Sequence, residues 1–174
     1  MTLRYRFQQG IWALFAFSQP VDTRLAQQTL SPELFSLFEK LQKSEQLHSL
    51  KVLQTVMRQT AVTSQALKNA ALLHDCGKIR YPLSVAQKTF VVLVRRFKPA
   101  LFERMTQGDP ENLIYRPFVA NRHHPQWSGD SLREVGADDD TIWLATHHAD
   151  SLDLWQNHPL YDDLARLQKA DDQH

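Results

Sequence analysis

Ala70-Ala71-Leu72-Leu73-His74-Asp75-Cys76-Gly77-Lys78 runs an apolar helical segment into an imidazole and a carboxylate that are neighbours in the chain, followed by a glycine. A His-Asp step in that place can offer a metal two side chains held by one backbone. The same letters also fit a plain helix ending. A cation suits the last turn, and glycine suits the left-handed position just beyond it.

The other imidazoles shift that balance. Eight histidines occur, at 48, 74, 123, 124, 147, 148, 158 and 174, and carboxylates return at Asp171-Asp172. Imidazole with carboxylate suits a hydrolytic divalent cation such as Mn, Fe, Zn or Co, whereas Mg or Ca is normally given oxygen ligands. The chain is therefore expected to carry a metal centre.

The order His48, then His74-Asp75, then Asp171 within Lys169-Ala170-Asp171 resembles the pattern of the HD-domain (HDIG-type) metal-dependent phosphohydrolase superfamily. The resemblance extends from about Glu45 to the C-terminus. Gln46-Leu47-His48-Ser49-Leu50 looks like its first-histidine helix, Ala70 to Lys78 like its signature helix and exit, and Leu164 to Asp172 like its closing helix. Members with further histidines between signature and last aspartate hold two metals. His124-Pro125-Gln126-Trp127, then Ile142 to His147-His148, is similar to the binuclear layout of cyclic-dinucleotide phosphodiesterases. By that resemblance one ion takes His48, His74, Asp75 and Asp171. The other shares Asp75 as a bridge and takes His124, His147 and His148. Mn or Fe is favoured, with Zn, Co or Ni as alternatives.

Two departures mark the chain off from that layout. The Gly-Tyr-Pro motif of one large phosphodiesterase class is missing, since Pro-Gln-Trp-Ser-Gly-Asp follows His124. Ala149 stands where related receptor-type phosphodiesterases carry glycine after the second doublet. Within the first doublet, His123 is the alternative to His124 as ligand or phosphate neighbour. His147 and His148 lie about 100° apart on a helix, so both reach one ion only near a helix end, which makes His147 the firmer choice. His158 and His174 fit no slot and read as surface residues.

The implied chemistry is phosphate ester hydrolysis. A divalent ion lowers the pKa of bound water towards neutrality and so supplies a hydroxide that attacks phosphorus. Asp75 is the expected bridging carboxylate. Lys78, one residue past the glycine, is the expected phosphate neutraliser, although it also suits the helix dipole. Arg122, beside His123, is a second phosphate-holding candidate. No Gly-x-Ser-x-Gly elbow is present, and Cys76 reads as a small buried hydrophobe.

The remaining features bound the class. With 174 residues, 43% of them hydrophobic, the chain is long enough to close one core. One cysteine excludes an intrachain disulfide, and a net charge of +1 gives no electrostatic reason to expect a nucleic acid polymer or a membrane as partner. Ile11 to Phe17 is apolar behind Arg4 and Arg6, but it is too short to span a bilayer. A cytoplasmic protein is expected.

Hydrophobic spacing predicts helices near 3–17, 21–29, 32–42, 45–59, 63–75, 84–97, 99–106, 113–123, 127–135, 139–148 and 159–172. The fold expected is an all-α, single-domain HD-type bundle over 1–174, in which helices within 1–44 pack on a metal-binding core over 45–174. Tyr5, Phe7, Trp12, Phe15 and Phe17 either pack on that bundle or form a homodimer surface. The leading functional expectation is a hydrolase for a nucleotide phosphomonoester or phosphodiester, with a cyclic dinucleotide as one candidate. The rival is a non-catalytic signalling or binding module that keeps its metal for structure. An oxygenase using mixed-valent iron on the same scaffold is a third reading.

Overall fold

In the computed structural model, residues 21–174 are described, and every regular element among them is helical. The expected helix at 3–17 and its aromatic residues lie outside the described part. The helices are α1 (Arg24–Thr29), α2 (Pro32–Glu39), α3 (Lys43–Gln59), α4 (Gln65–Leu73), α5 (Val85–Phe97), α6 (Pro99–Met105), α7 (Arg116–Glu134), α8 (Asp139–His147) and α9 (Tyr161–Asp171). Short 3₁₀ turns occupy Cys76–Ile79 and Leu152–Trp155.

Local chemistry explains the boundaries. Ser31, Ser64, Ser84 and Asp138 each accept a backbone N–H three residues on, which opens α2, α4, α5 and α8. At α5, Gln87 reciprocates to complete a capping box. Gly136, at φ 74, ends α7, and Ala137 N–H donates back to Leu132 C=O.

The core is built around α4. Leu67, Ala70, Ala71, Leu72 and Leu73 are all buried, so this helix is apolar almost all round and must sit at the centre. Leu53 and Val56 of α3, Leu144 and Ala145 of α8, and Leu164 and Leu167 of α9 close over it. Ala26, Leu34, Leu37 and Phe38 bring α1 and α2 into the same cluster. A second, smaller cluster joins Val91 and Val94 of α5 to Phe102 of α6 and Phe118 of α7. Phe90, Leu93, Phe97 and Leu101 remain exposed on its outer side.

Two sequence expectations change. The helices expected at 113–123 and 127–135 are one helix, α7, which passes through Pro125. Proline has no N–H for the Asn121 carbonyl four residues back. The His124 ring occupies that carbonyl instead, its Nδ1 2.9 Å from Asn121 O. Gly77, in turn, is not in the left-handed region, where Gly136 is the only described residue. It serves close approach: a Cβ there would lie 2.2 Å from the His124 carbonyl oxygen and 2.7 Å from Ser128 N. Gly77 N–H donates to Ser128 Oγ at 2.8 Å, which fixes the His-Asp turn against α7.

Candidate metal centre

Five elements converge on one point. His48 projects from the middle of α3, His74 and Asp75 leave the C-terminal end of α4, His124 sits at the proline step of α7, and His148 caps α8. Asp171 closes the group from the last turn of α9. His48, His74 and Asp75 place ligand atoms within 4.8 Å of one another, and so do Asp75, His124 and His148.

Asp75 joins the two sets, one oxygen to each. Its Oδ1 lies 3.2 Å from His124 Nε2 and 3.8 Å from His148 Nε2. Its Oδ2 lies 3.5 Å from His74 Nε2 and 2.6 Å from Lys78 Nζ. Asp171 Oδ1 stands 2.7 Å from His48 Nε2 and 3.5 Å from His74 Nε2. These residues could hold metal on both sides of one buried carboxylate.

Three of the imidazoles are aimed by the same local device. His74 Nδ1 faces Ala71 O at 3.3 Å, His124 Nδ1 faces Asn121 O at 2.9 Å, and His148 Nδ1 faces Ala145 O at 2.7 Å. Each acceptor is a carbonyl three residues back, left open by a helix end or by Pro125. An N–H donated from Nδ1 leaves Nε2 with its lone pair toward the cluster, as metal-ligating histidines require.

The electrostatics fit a cation. His74 is fully buried and its Nε2 has no hydrogen-bond partner, although two carboxylates lie just outside bonding distance. Burial pulls the pKa of this imidazole down, but Asp75 and Asp171 outweigh burial and push it up to about 9. A proton held there answers the same negative field that a metal would. His148 is driven the other way, to about 3, by burial and by His74 and His124 beside it, so its imidazole is neutral, as a metal ligand would have to be. Burial works against the charged forms of Asp75 and Asp171, yet Lys78, His74 and His124 hold Asp75, and His48 and His74 hold Asp171, well below the usual carboxylate range.

The cluster forms the floor of a pocket of about 620 Å³. Lys78, Lys88 and Arg95 bring positive charge to it, and Val85, Thr89 and Val92 line it from the same helix as the last two cations. Glu45, Asp75, Asp150, Asp171 and Asp172 outnumber those cations. Without metal the pocket therefore disfavours anions, and two divalent ions would reverse that sign.

Two expected site residues fall elsewhere. His147 is not in either ligand set: its Nδ1 is 2.7 Å from Asp150 Oδ2, and its ring packs against Trp143 and Trp155. Because α8 ends at His147, it is His148, the residue in the cap, that turns inward. Arg122 is exposed and lies 3.9 Å from Glu103, away from the pocket. Two residues before His124, it is about 200° round the helix. Of the first doublet, His124 is the inward member, while His123 is exposed beside Trp127. His158 is not a free surface residue either, since its ring stacks on Trp143 at 3.7 Å between centroids.

The sequence reading overlooked Glu45, Lys88, Arg95 and Asp150. Glu45 is buried and ion-paired to both Lys78 and Lys88. It precedes His48 by three positions, a spacing that puts both on one helix face and could have been noticed. No helix among the described residues is long and apolar enough to cross a membrane. Comparison of the chain with protein-family models, curated proteins and solved structures gives no match, so the pocket itself has to carry the functional reading.

Proposed function

We propose that the chain is an HD-type, metal-dependent phosphohydrolase that cleaves a phosphomonoester or phosphodiester of a nucleotide, with a cyclic dinucleotide as one candidate substrate. The observation that carries this reading is Asp75, a buried carboxylate whose two oxygens face separate imidazole sets at the floor of an open pocket. His48, His74, Asp75 and Asp171 would hold one ion, and Asp75, His124 and His148 the other. Mn or Fe suits this mixture of nitrogen and oxygen donors, with Zn, Co or Ni as alternatives. Bound there, such ions lower the pKa of water and draw charge from phosphoryl oxygens.

The chain's own groups have distinct tasks. Asp75 holds both ligand sets in register. Lys78, tied to Asp75 and Glu45, brings a fixed ammonium to the pocket floor, where it would offset phosphate charge. Glu45 keeps Lys78 and Lys88 in place from beneath. A cytoplasmic location belongs to the same reading, because a reducing compartment suits the single free thiol, Cys76. The pocket above the ligands favours an enzyme over a module that keeps metal only for structure, since a structural site would be closed.

The test is hydrolysis of p-nitrophenyl phosphate, bis-p-nitrophenyl phosphate and a panel of mononucleotides and cyclic dinucleotides by Mn- or Fe-loaded protein. Turnover that is abolished by chelator, restored by metal and reduced at least ~100-fold in Asp75→Asn is expected. Metal-loaded protein that cleaves none of them contradicts the reading.

A further inference from the structure

The cations that line the pocket are not equivalent. Lys78 Nζ is bound to the carboxylates of Asp75 and Glu45, and Lys88 Nζ to Glu45 and Gln42. Arg95 has no carboxylate partner among the described residues. Its guanidinium carbon lies 5.7 Å from the centre of the Phe102 ring. Stacking of that kind steadies a guanidinium through its flat face and leaves the N–H fork free at the edge. A planar fork of free donors is suited to phosphate oxygens.

The place of Arg95 on α5 gives the spacing. Lys88, Thr89, Val92 and Arg95 recur at helical intervals, so one face of α5 forms a wall of the pocket. Lys88 is tethered to Glu45 and so marks the end of that wall next to Lys78 and the ligand cluster. Arg95 is seven residues on, which is two turns and about 10 Å along the helix axis. A single phosphate held over the cluster and Lys78 is met there without Arg95. Two adjacent phosphates of a pyrophosphate are also too close together to use both ends of the wall, whereas two phosphates separated by a sugar span it.

Resting on the phosphohydrolase reading above, we infer that Arg95 forms a second phosphate subsite, and that the substrate class carries two phosphate groups separated by a nucleoside sugar. A dinucleotide diester and a nucleoside bisphosphate share that chemistry. Val92 and Thr89 between the two cations leave a weakly polar stretch for the intervening sugar.

The experiment is calorimetric titration of Mn-loaded protein with adenosine 5′-monophosphate and with adenosine 3′,5′-bisphosphate, for the parent chain, Arg95→Gln, Arg95→Lys and Arg96→Gln. Arg96 is the control because it removes the same charge from the same helix without lining the pocket. The bisphosphate is expected to bind the parent chain about tenfold more tightly than the monophosphate. Arg95→Gln removes that advantage, Arg95→Lys retains part of it, and Arg96→Gln leaves it intact. Monophosphate binding with no bisphosphate advantage in the parent, or an advantage that survives Arg95→Gln, overturns the subsite and leaves the hydrolase reading standing. Failure of both nucleotides to bind the loaded protein overturns the two together.

Discussion

The bundle around α4 and the wall formed by α5 and α6 are packed to different standards. Around α4, side chains from six other helices, α1, α2, α3, α7, α8 and α9, close one continuous cluster, and Leu53, Leu72, Leu144 and Leu164 are fully buried. The wall rests on four buried residues, Val91, Val94, Phe102 and Phe118, while Phe90, Leu93 and Phe97 face outward. The candidate metal ligands come from α3, α4, α7, α8 and α9, and none comes from α5 or α6. The pocket cations other than Lys78, which are Lys88 and Arg95, come from the wall. A metal centre needs ligands held to a fraction of an ångström, whereas a surface that receives a ligand tolerates looser support.

The difference in packing can be broken by truncation. Leu72→Ala in α4 is expected to cost about 2–5 kcal/mol, with loss of metal binding, because Leu72 is fully enclosed next to the His-Asp step. Val91→Ala on the wall removes two methyl groups and should cost on the order of 1–2 kcal/mol. Urea unfolding of both variants, with metal content measured on each, checks the contrast. Equal costs, or metal lost from both, would mean that the wall is part of the same rigid unit.

Acidity tests the ligand cluster from another side. With metal removed, His74 has a raised pKa of about 9 against an ordinary 6.5. A group raised in the folded state contributes stability that is complete below its unfolded pKa and is lost as pH climbs through the folded value. Asp171 and Asp75 are held low, and their contribution is lost as pH falls below the usual carboxylate range. His148, held down near 3, works the other way: below about pH 6.5 the unfolded chain gains a proton there that the folded chain does not, so stability falls on the acid side as well. Chelated protein should therefore be most stable near pH ~6.5 and weaken on the order of a few kcal/mol by pH 9. Metal-loaded protein should lack that alkaline loss, since the metal displaces the His74 proton. Thermal melts of both forms across pH 5 to 9 decide it, and a flat profile for the chelated form would refute the His74 assignment.

Gly77→Ala sharpens the comparison between the two ligand sets. A methyl group at 77 meets the backbone of α7 at His124 and Ser128, so the helix has to shift, at a cost of about 1–3 kcal/mol. His124 moves with that helix, whereas His48 comes from α3 and His74 from the buried end of α4, so those two are displaced less. The ion bound by His124 and His148 should weaken more than the ion bound by His48 and His74. Metal titration of the variant resolves two affinities, and an equal loss in both would contradict the separation.

Much of this was legible in the sequence because it rests on short-range pattern. The apolar α4, the helical hydrophobic spacing and the His-Asp exit are local, and the all-helical fold follows from them. Side-chain direction at helix ends was not legible to the same degree. His147 and His148 are neighbours in the chain, and choosing between them required the last turn of α8 to be located within one residue. Pro125 reads as a boundary until the His124 ring is seen to take up the carbonyl that the proline leaves open. Arg122 could have been set aside by its angular distance from His124. Arg95 could not have been found, because its distance from the cluster depends on how α5 lies over α3, a placement seen in the hydrogen bonds of Lys88 to Gln42 and Glu45.

The most direct measurement is the metal content of chain purified without chelator, for the parent and for His124→Ala. Two transition-metal ions per chain, about one of which is lost in the variant, are predicted from the shared Asp75. One ion in both proteins would contradict the binuclear centre, and none in either would remove the metal site altogether.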